Sequence, residues 1–330
     1  MLSSSPILVT GVAGFIGYSL TLHLLKNGFT VIGIDNLNDY YDVSLKQARL
    51  KNLNDFPQFK FYQANISDRA HMQQIWDQHP AIVQIVHLAA QAGVRYSLIN
   101  PFAYIEANIM GHMVILELAR HREGFQHLIY ASSSSVYGGN TKLPFSVEDQ
   151  CDTPVSLYAA TKKADELMTQ SYAHLYRIPS TGLRFFTVYG PWGRPDMAVF
   201  LFTKAIVNDR PIQVFNHGVM KRDFTYIDDI IKGIVGALNN PPSQDTSRPP
   251  HKIYNLGNNK SEKLIDFIHL IEGELGKKAI LEMLPLQAGD VPESLADIAA
   301  SEQDLNYSPT TPISQGIPKF IEWYKEYYKV

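Results

Sequence analysis

Residues 7–20 read ILVTGVAGFIGYSL, and the reading of this stretch decides the fold. Four β-prone residues run into Gly11, Gly14 and Gly17, and an apolar helical pattern starts at Phe15. Glycines at such a turn permit a tight bend and let the backbone approach a pyrophosphate. The helix N-terminus then meets the negative charge with free N–H groups and its dipole. A glycine triplet alone would also suit plain packing of a helix on a strand. The next strand shifts the balance, because TVIGID ends in Asp35, placed to accept hydrogen bonds from the hydroxyls of an adenosine ribose. Asp35 would repel a 2′-phosphate, and Asn36, Leu37 and Asn38 offer no cation to hold one, which points to NAD rather than NADP.

Working outward, β-type runs at 7–10, 30–34, 59–63, 82–87, 127–132 and 180–185 alternate with helical patterns at 15–26, 102–122 and 157–176. That rhythm predicts an α/β fold built on a doubly wound parallel sheet covered on both faces. After Gly190 proline and glycine become frequent and strands stand isolated, so a smaller mixed α/β lobe is expected there, with NNPPSQDTSRPP at 239–250 as a mobile surface loop. No internal repeat is visible.

The composition of the 330 residues, 45% hydrophobic and 18% charged, is that of a soluble globular protein. A net charge of −3 with no basic run argues against a nucleic-acid partner. Cys151 is the single cysteine, so no internal disulfide forms, no multi-cysteine metal cage exists, and a reducing cytoplasm fits. The histidines lack metal-ligand spacing, and no metal is expected. No run is read as approaching the roughly 20 apolar residues of a membrane span, and PILVTGVAG at 6–14 begins structure so early that no leader is expected.

Two further stretches carry chemistry. YASSSSVYG, at 130–138, puts four hydroxyls at a strand end, without the Gly-x-Ser-x-Gly elbow of a serine hydrolase. SLYAATKKA, at 156–164, sets Tyr158 and Lys162 four residues apart, on one face of a helix. As a bare pattern this is an ordinary surface pair. Behind a dinucleotide turn and a serine-rich strand end it reads as a proton-transfer pair, since a phenol needs nearby positive charge to act as a base near neutrality.

Together these residues resemble the extended short-chain dehydrogenase/reductases. DNLNDYYDVSLK, HLAAQAGVRYS, ASSSSVYGGNTKLPF, LRFFTVYGPWGRPDMA, KRDFTYIDDI and GDVPESLAD narrow the likeness to the UDP-glucuronate 4-epimerases, along essentially the whole chain. The resemblance implies a Rossmann-like NAD-binding domain of residues 1–185 and 224–258, and a UDP-sugar-binding domain of 186–223 and 259–330. It implies Ser133, Tyr158 and Lys162 as catalytic residues. Phe15, Ile16, Asn36, Asn38, Asn65, Ile66, Leu88, Ala89 and Ala90 would join the three glycines, Asp35, Tyr158 and Lys162 around NAD. Asn65 departs from the family, which usually has an Asp beside the adenine. Ser134, Ser135, Thr187 and Arg194 would hold the sugar carboxylate, Val214 and Phe215 the uracil, Arg222 the diphosphate and Asp290 the uridine ribose. Arg95 would meet either the diphosphate or the carboxylate. Related 4,6-dehydratases carry an acidic pair where Ser134 and Ser135 stand, and related decarboxylases a Glu. An epimerase of neutral UDP-hexoses, a UDP-glucuronate decarboxylase and an inactive NAD-responsive module are the alternatives. A homodimer paired through the helices near Phe102 and Leu157 is expected.

Overall fold

The turn at residues 7–20 folds as its pattern requires, and the sheet grows from it in both directions. The structure, a computed structural model, describes residues 5–244, 247–287 and 289–330. Strand β1 (Ile7–Thr10) leads into α1 (Phe15–Lys26), followed by β2 (Val31–Asp35), α2 (Val43–Asn54), β3 (Phe59–Gln63), α3 (Arg69–Asp77) and β4 (Gln84–His87). Three helical pieces come next, α4 (Tyr96–Ile99), α5 (Pro101–Tyr104) and α6 (Gly111–Arg120), and then β5 (His127–Ser133), α7 (Leu157–Tyr176) and β6 (Ser180–Phe185). A later strand, β10 (His251–Leu256), completes the sheet, whose order is β10-β6-β5-β4-β1-β2-β3 with every pairing parallel. Because helices cover both faces, β1, β2 and β4 are buried throughout and show no alternation. The connections leave β1 toward β2 on one side and toward β4 on the other, which opens a crevice at the carboxyl ends of β1 and β4.

The chain continues through β7 (Thr187–Tyr189), α8 (Ala198–Val207), β8 (Pro211–Val214), β9 (Lys221–Tyr226) and α9 (Ile227–Asn239), the last packed on α1. After β10 come β11 (Ser261–Lys263), α10 (Leu264–Leu275), β12 (Ile280–Met283), α11 (Ala299–Leu305) and α12 (Ile313–Tyr328). Outside the main sheet the strands build the second lobe, a mixed sheet β11-β9-β7 and a parallel pair β12-β8. Arg49 of α2 couples the lobes: one guanidinium nitrogen donates to Ala13 O at 2.7 Å, and the other to Trp192 O at 2.6 Å.

Two expectations need correction. The helix expected at 102–122 is not continuous, because a π-helical turn at Ile105–Met110 separates α5 from α6. Such turns are rare and occur frequently at functional sites, and this one carries Asn108. It accepts from Gln91 N at 2.8 Å, and its amide donates to Gln91 O at 3.1 Å and to Thr161 of α7 at 2.9 Å. The same region, Pro101–Arg120, is also long and apolar enough to cross a membrane by length and composition, contrary to the sequence reading. Half of its most apolar window is buried inside the fold. Smaller differences fall at strand ends: β2 and β4 begin at Val31 and Gln84. In the expected loop, α9 runs on through Asn239, residues 240–244 and 247–250 carry neither helix nor strand, and Asp245 and Thr246 lie outside the described residues.

Candidate active site

A single cavity of about 990 Å³ runs from the crevice into the second lobe. At its inner end, Gly11, Gly14, Phe15, Ile16 and Gly17 form the floor. Gly11 has φ +78°, and a Cβ there would stand 2.8 Å from Ala89 N, so the β1 turn and the segment after β4 meet backbone to backbone. A Cβ on Gly17 would stand 2.0 Å from Gly11 O, which is why the helix can start so close under the turn. Gly14 is the N-cap of α1 and no side chain caps that terminus, leaving its N–H groups for an anion. Below the floor, Thr10 Oγ1 accepts from Ala89 N at 3.1 Å and shares a 2.8 Å hydrogen bond with His87. Burial, reinforced by the Lys162 charge, pushes the His87 pKa down to about 3, so this imidazole is neutral.

Asp35, Asn36, Asn38, Asn65, Ile66, Leu88, Ala89 and Ala90 line the adjoining wall. Asp35 braces the turn by accepting from Ala13 N at 3.1 Å and Leu37 N at 2.9 Å. Asn65 has a partner that the sequence did not announce: its amide donates to Glu106 of the π turn at 3.0 Å, and Ser67 donates to the same oxygen at 3.0 Å. A second omission is Lys46, on the first turns of α2. Its ammonium donates to Asn38 O and Oδ1, both at 2.7 Å, and it lines the same wall within electrostatic reach of Asp35. Reading only the three residues after Asp35 hid this cation, which reaches back from eight residues beyond Asn38.

At mid-cavity, Ser132 to Ser135 split their work. Ser132 turns into the core and donates to Glu166 at 2.6 Å, and Arg184 grips that carboxylate through Nε at 2.8 Å and Nη2 at 2.9 Å. Ser133 caps the following 3-10 turn, accepting from Ser135 N at 3.2 Å and donating to Ser135 Oγ at 3.1 Å. Ser133, Ser134 and Ser135 all line the cavity, as do Tyr158 and Lys162. Helix α7 presents the last two because Ser156 caps it, accepting from Ala159 N at 3.1 Å. The Tyr158 ring packs edge-on against Tyr104, 6.0 Å between centroids. Lys162 bonds Asp165 at 3.0 Å in the interior, and burial, opposed by that lysine, raises the Asp165 pKa to about 6.

The outer wall comes from distant segments. Thr187 opens β7, and Arg194 follows Trp192, whose carbonyl Arg49 holds. Arg194 lies within electrostatic reach of Tyr158 and Tyr40. Burial works against its charge, but Asp196 more than compensates and holds the guanidinium protonated. Arg95 pairs with Asp290 at 3.6 Å and lies over the Phe215 ring at 4.8 Å. Arg222 donates to the carbonyls of Lys221 and Pro292 at 2.9 and 3.2 Å, and feels both Asp290 and Arg95. Arg95 therefore gathers with Phe215, Arg222 and Asp290. The structure corrects one residue. Val214, the last of β8, is fully buried in the core, while its neighbours Gln213 and Phe215 line the cavity, because successive strand side chains face opposite ways. No cluster of three or more potential metal ligands occurs among the described residues.

An open glycine floor, an uncapped helix terminus, an acidic residue at the second strand end and a wall of small residues fit a dinucleotide stretched along the inner cavity. Comparison with known proteins agrees. A probable UDP-glucuronate 4-epimerase of Rhizobium meliloti is 45% identical, over 98% of this chain and 97% of that protein. The crystal structure of the UDP-glucuronic acid 4-epimerase of Bacillus cereus, in complex with UDP-glucuronic acid and NAD, is 35% identical and superimposes with a TM-score of 0.88, covering 98% of this chain and 100% of that one. A UDP-glucose 4-epimerase of Thermotoga maritima with UDP-glucose is 28% identical, with a TM-score of 0.86 over 98% and 99%. Residues 7–257 match the NAD dependent epimerase/dehydratase family, and to that family this chain belongs.

Proposed function

We propose that this chain is a NAD-dependent 4-epimerase that converts UDP-glucuronate to UDP-galacturonate. The observation that carries the proposal is that Arg194 and Tyr158 line the same cavity, because a guanidinium in the sugar site suits a sugar that bears a carboxylate. NAD, when bound, takes up a hydride from carbon 4 of the sugar and later returns it. Gly11, Gly14 and Gly17 would hold its pyrophosphate, Asp35 its adenosine ribose, and Tyr158 with Lys162 its nicotinamide end.

The chain's own groups handle the proton and the sugar. Tyr158 removes the proton of the 4-hydroxyl and gives it back at the end of the cycle. Ser133 orients that hydroxyl by exchanging its bond to Ser135 for one to the sugar. Lys162, on the same face of α7 and anchored by Asp165, stands one helical turn from Tyr158 and would hold the nicotinamide ribose. Between the two hydride transfers the 4-keto sugar turns about its bond to the diphosphate and shows its other face. Arg95 and Arg222 keep the diphosphate fixed meanwhile, with Phe215 against the base and Asp290 at the uridine ribose. Ser134, Ser135, Thr187 and Arg194 bind the sugar carboxylate. Hydroxyls at 134 and 135, where related decarboxylases and dehydratases carry acids, suit this reaction because they donate hydrogen bonds without adding a further acid or base.

Residues 1–185 and 224–258 are assigned to cofactor binding and 186–223 and 259–330 to sugar-nucleotide binding, supported by β10 joining the main sheet. Exposed Phe102, Ile105 and Met110 beside exposed Leu167 and Leu175 of α7 support a homodimer paired through these helices. The single, buried cysteine suits a cytoplasmic setting. Incubation with UDP-glucuronate followed by NMR of the sugar tests the reaction: UDP-galacturonate is expected, and a UDP-pentose or unchanged substrate would refute it. UDP-glucose assayed in parallel separates this activity from that of a UDP-hexose epimerase.

A further inference from the structure

Arg194 already has a carboxylate. Its Nε donates to Asp196 Oδ1 at 3.0 Å and its Nη2 to Oδ2 at 2.5 Å, the two-point grip by which arginine recognises a carboxylate. Asp196 lines the cavity beside Arg194. It is itself held from a third direction, by the Tyr40 hydroxyl donating to Oδ2 at 3.0 Å, and the Tyr40 ring is braced on Tyr96 at 4.8 Å. The anchor for the substrate's acid group thus carries a protein acid group of the same geometry, fixed in place by a residue from the opposite lobe.

The reaction assigned above gives that arrangement a use. A carboxylate gripped in a two-point ion pair resists displacement, yet the keto sugar must turn while its diphosphate stays bound. An arginine whose charge is matched and whose fork is half filled holds a second carboxylate less tightly than a free one. We propose that Asp196 is a built-in competitor for Arg194, a positioning residue that reclaims the guanidinium as the sugar carboxylate lets go and so permits the ring to turn. Tyr40 keeps Asp196 at its post while Arg194 is drawn toward the substrate. This inference rests on the reaction proposed above and adds a residue to it.

The test compares Asp196→Asn with the parent as full-length, NAD-loaded proteins. Binding is measured by calorimetry in a Tyr158→Phe background and turnover in the native background. Loss of the competing charge should tighten UDP-glucuronate by about tenfold, the weight of one charge-assisted hydrogen bond, and leave UDP-glucose affinity unchanged. Turnover should fall by about tenfold while KM falls with it, and the keto sugar and reduced nicotinamide should accumulate. Asp196→Glu, which restores a carboxylate, should recover both properties toward the parent. Weaker or unchanged UDP-glucuronate binding in Asp196→Asn would overturn the proposal, because a residue that merely props up Arg194 costs affinity when altered. If Asp196→Asn does not fold with NAD bound, Asp196→Ser carries the same expectations. A parent that fails to epimerise would refute the assigned reaction instead, and the binding comparison would still decide whether Asp196 competes.

Discussion

The two ends of the cavity are built on opposite plans. The inner end is backbone: a glycine floor, an uncapped helix terminus and small residues, with Asp35 and Thr10 bracing it from inside. The outer end is side chains, and its three arginines already hold protein partners: Arg194 with Asp196, Arg95 with Asp290, Arg222 with two carbonyls. The difference teaches where motion is permitted. A resident cofactor suits a rigid cradle, whereas a substrate that must bind, turn and leave suits groups that exchange one partner for another.

The largest break in this comparison is expected where the two ends meet. Tyr158→Phe removes only the hydroxyl, and epimerisation should fall by about 10³-fold or more, the upper range for a general acid–base, while bound NAD is retained. Activity within about tenfold of the parent would remove Tyr158 from the role of base.

Next in size, Arg194→Ala should divert the keto sugar. Oxidation at carbon 4 makes a β-keto acid, which loses carbon dioxide when the bond to the carboxylate aligns with the carbonyl π system. Before and after the turn the held carboxylate is kept from that alignment, and pairing with Arg194 there favours the charged acid over neutral carbon dioxide. At about 1.5–3 kcal/mol for each hydrogen bond to a charged group, the share of decarboxylation should rise by an order of magnitude or more as epimerisation falls. Release of carbon dioxide no greater than the parent's, with normal epimerisation, would show that the clamp lies elsewhere.

A change at the inner end should be smaller and confined to the cofactor. Asp35→Ala removes the ribose acceptor and two braces of the turn, so calorimetry should show NAD affinity reduced by about tenfold or more. Lys46, freed of its neighbouring negative charge, should then raise relative tolerance of NADP. A parent that already prefers NADP would contradict the assignment of this wall.

How much of this was legible in sequence follows the same division. Gly11, Gly17 and Asp35 do their work through backbone conformation and position, which local sequence encodes, so the sheet and the cofactor end could be read from residues 7–35. Asp196 stands two residues from Arg194, yet nothing local tells that Tyr40, more than 150 residues away, will hold it. Glu106 was missed for the same reason, since it meets Asn65 across the fold, and Lys46 because it reaches back to Asn38 from the following helix. Val214 was misplaced because strand alternation, and not its place in the stretch, decides which way it faces.

The smallest expected effect concerns the rigid end alone. His87 has an ordinary pKa of 6.5, lowered to about 3 in the folded chain by burial and the Lys162 charge. As pH falls below 6.5 the unfolded chain takes the proton first, so this stabilising contribution is complete above 6.5 and is lost toward pH 3. Chemical denaturation should show about 1 kcal/mol lost per pH unit from this residue between pH ~6 and ~5. His87→Gln should flatten the slope by that amount, and an unchanged slope would mean that the imidazole under the cradle is not held neutral.

The bond between Asn65 and Glu106 limits what position 65 can carry. An aspartate there would stand where the Asn65 amide lies, 3.0 Å from the Glu106 carboxylate, and two like charges would face each other across the cofactor wall. The two positions are thereby coupled: an acid suits one while the other donates, and a change of charge at either asks for a change at its neighbour.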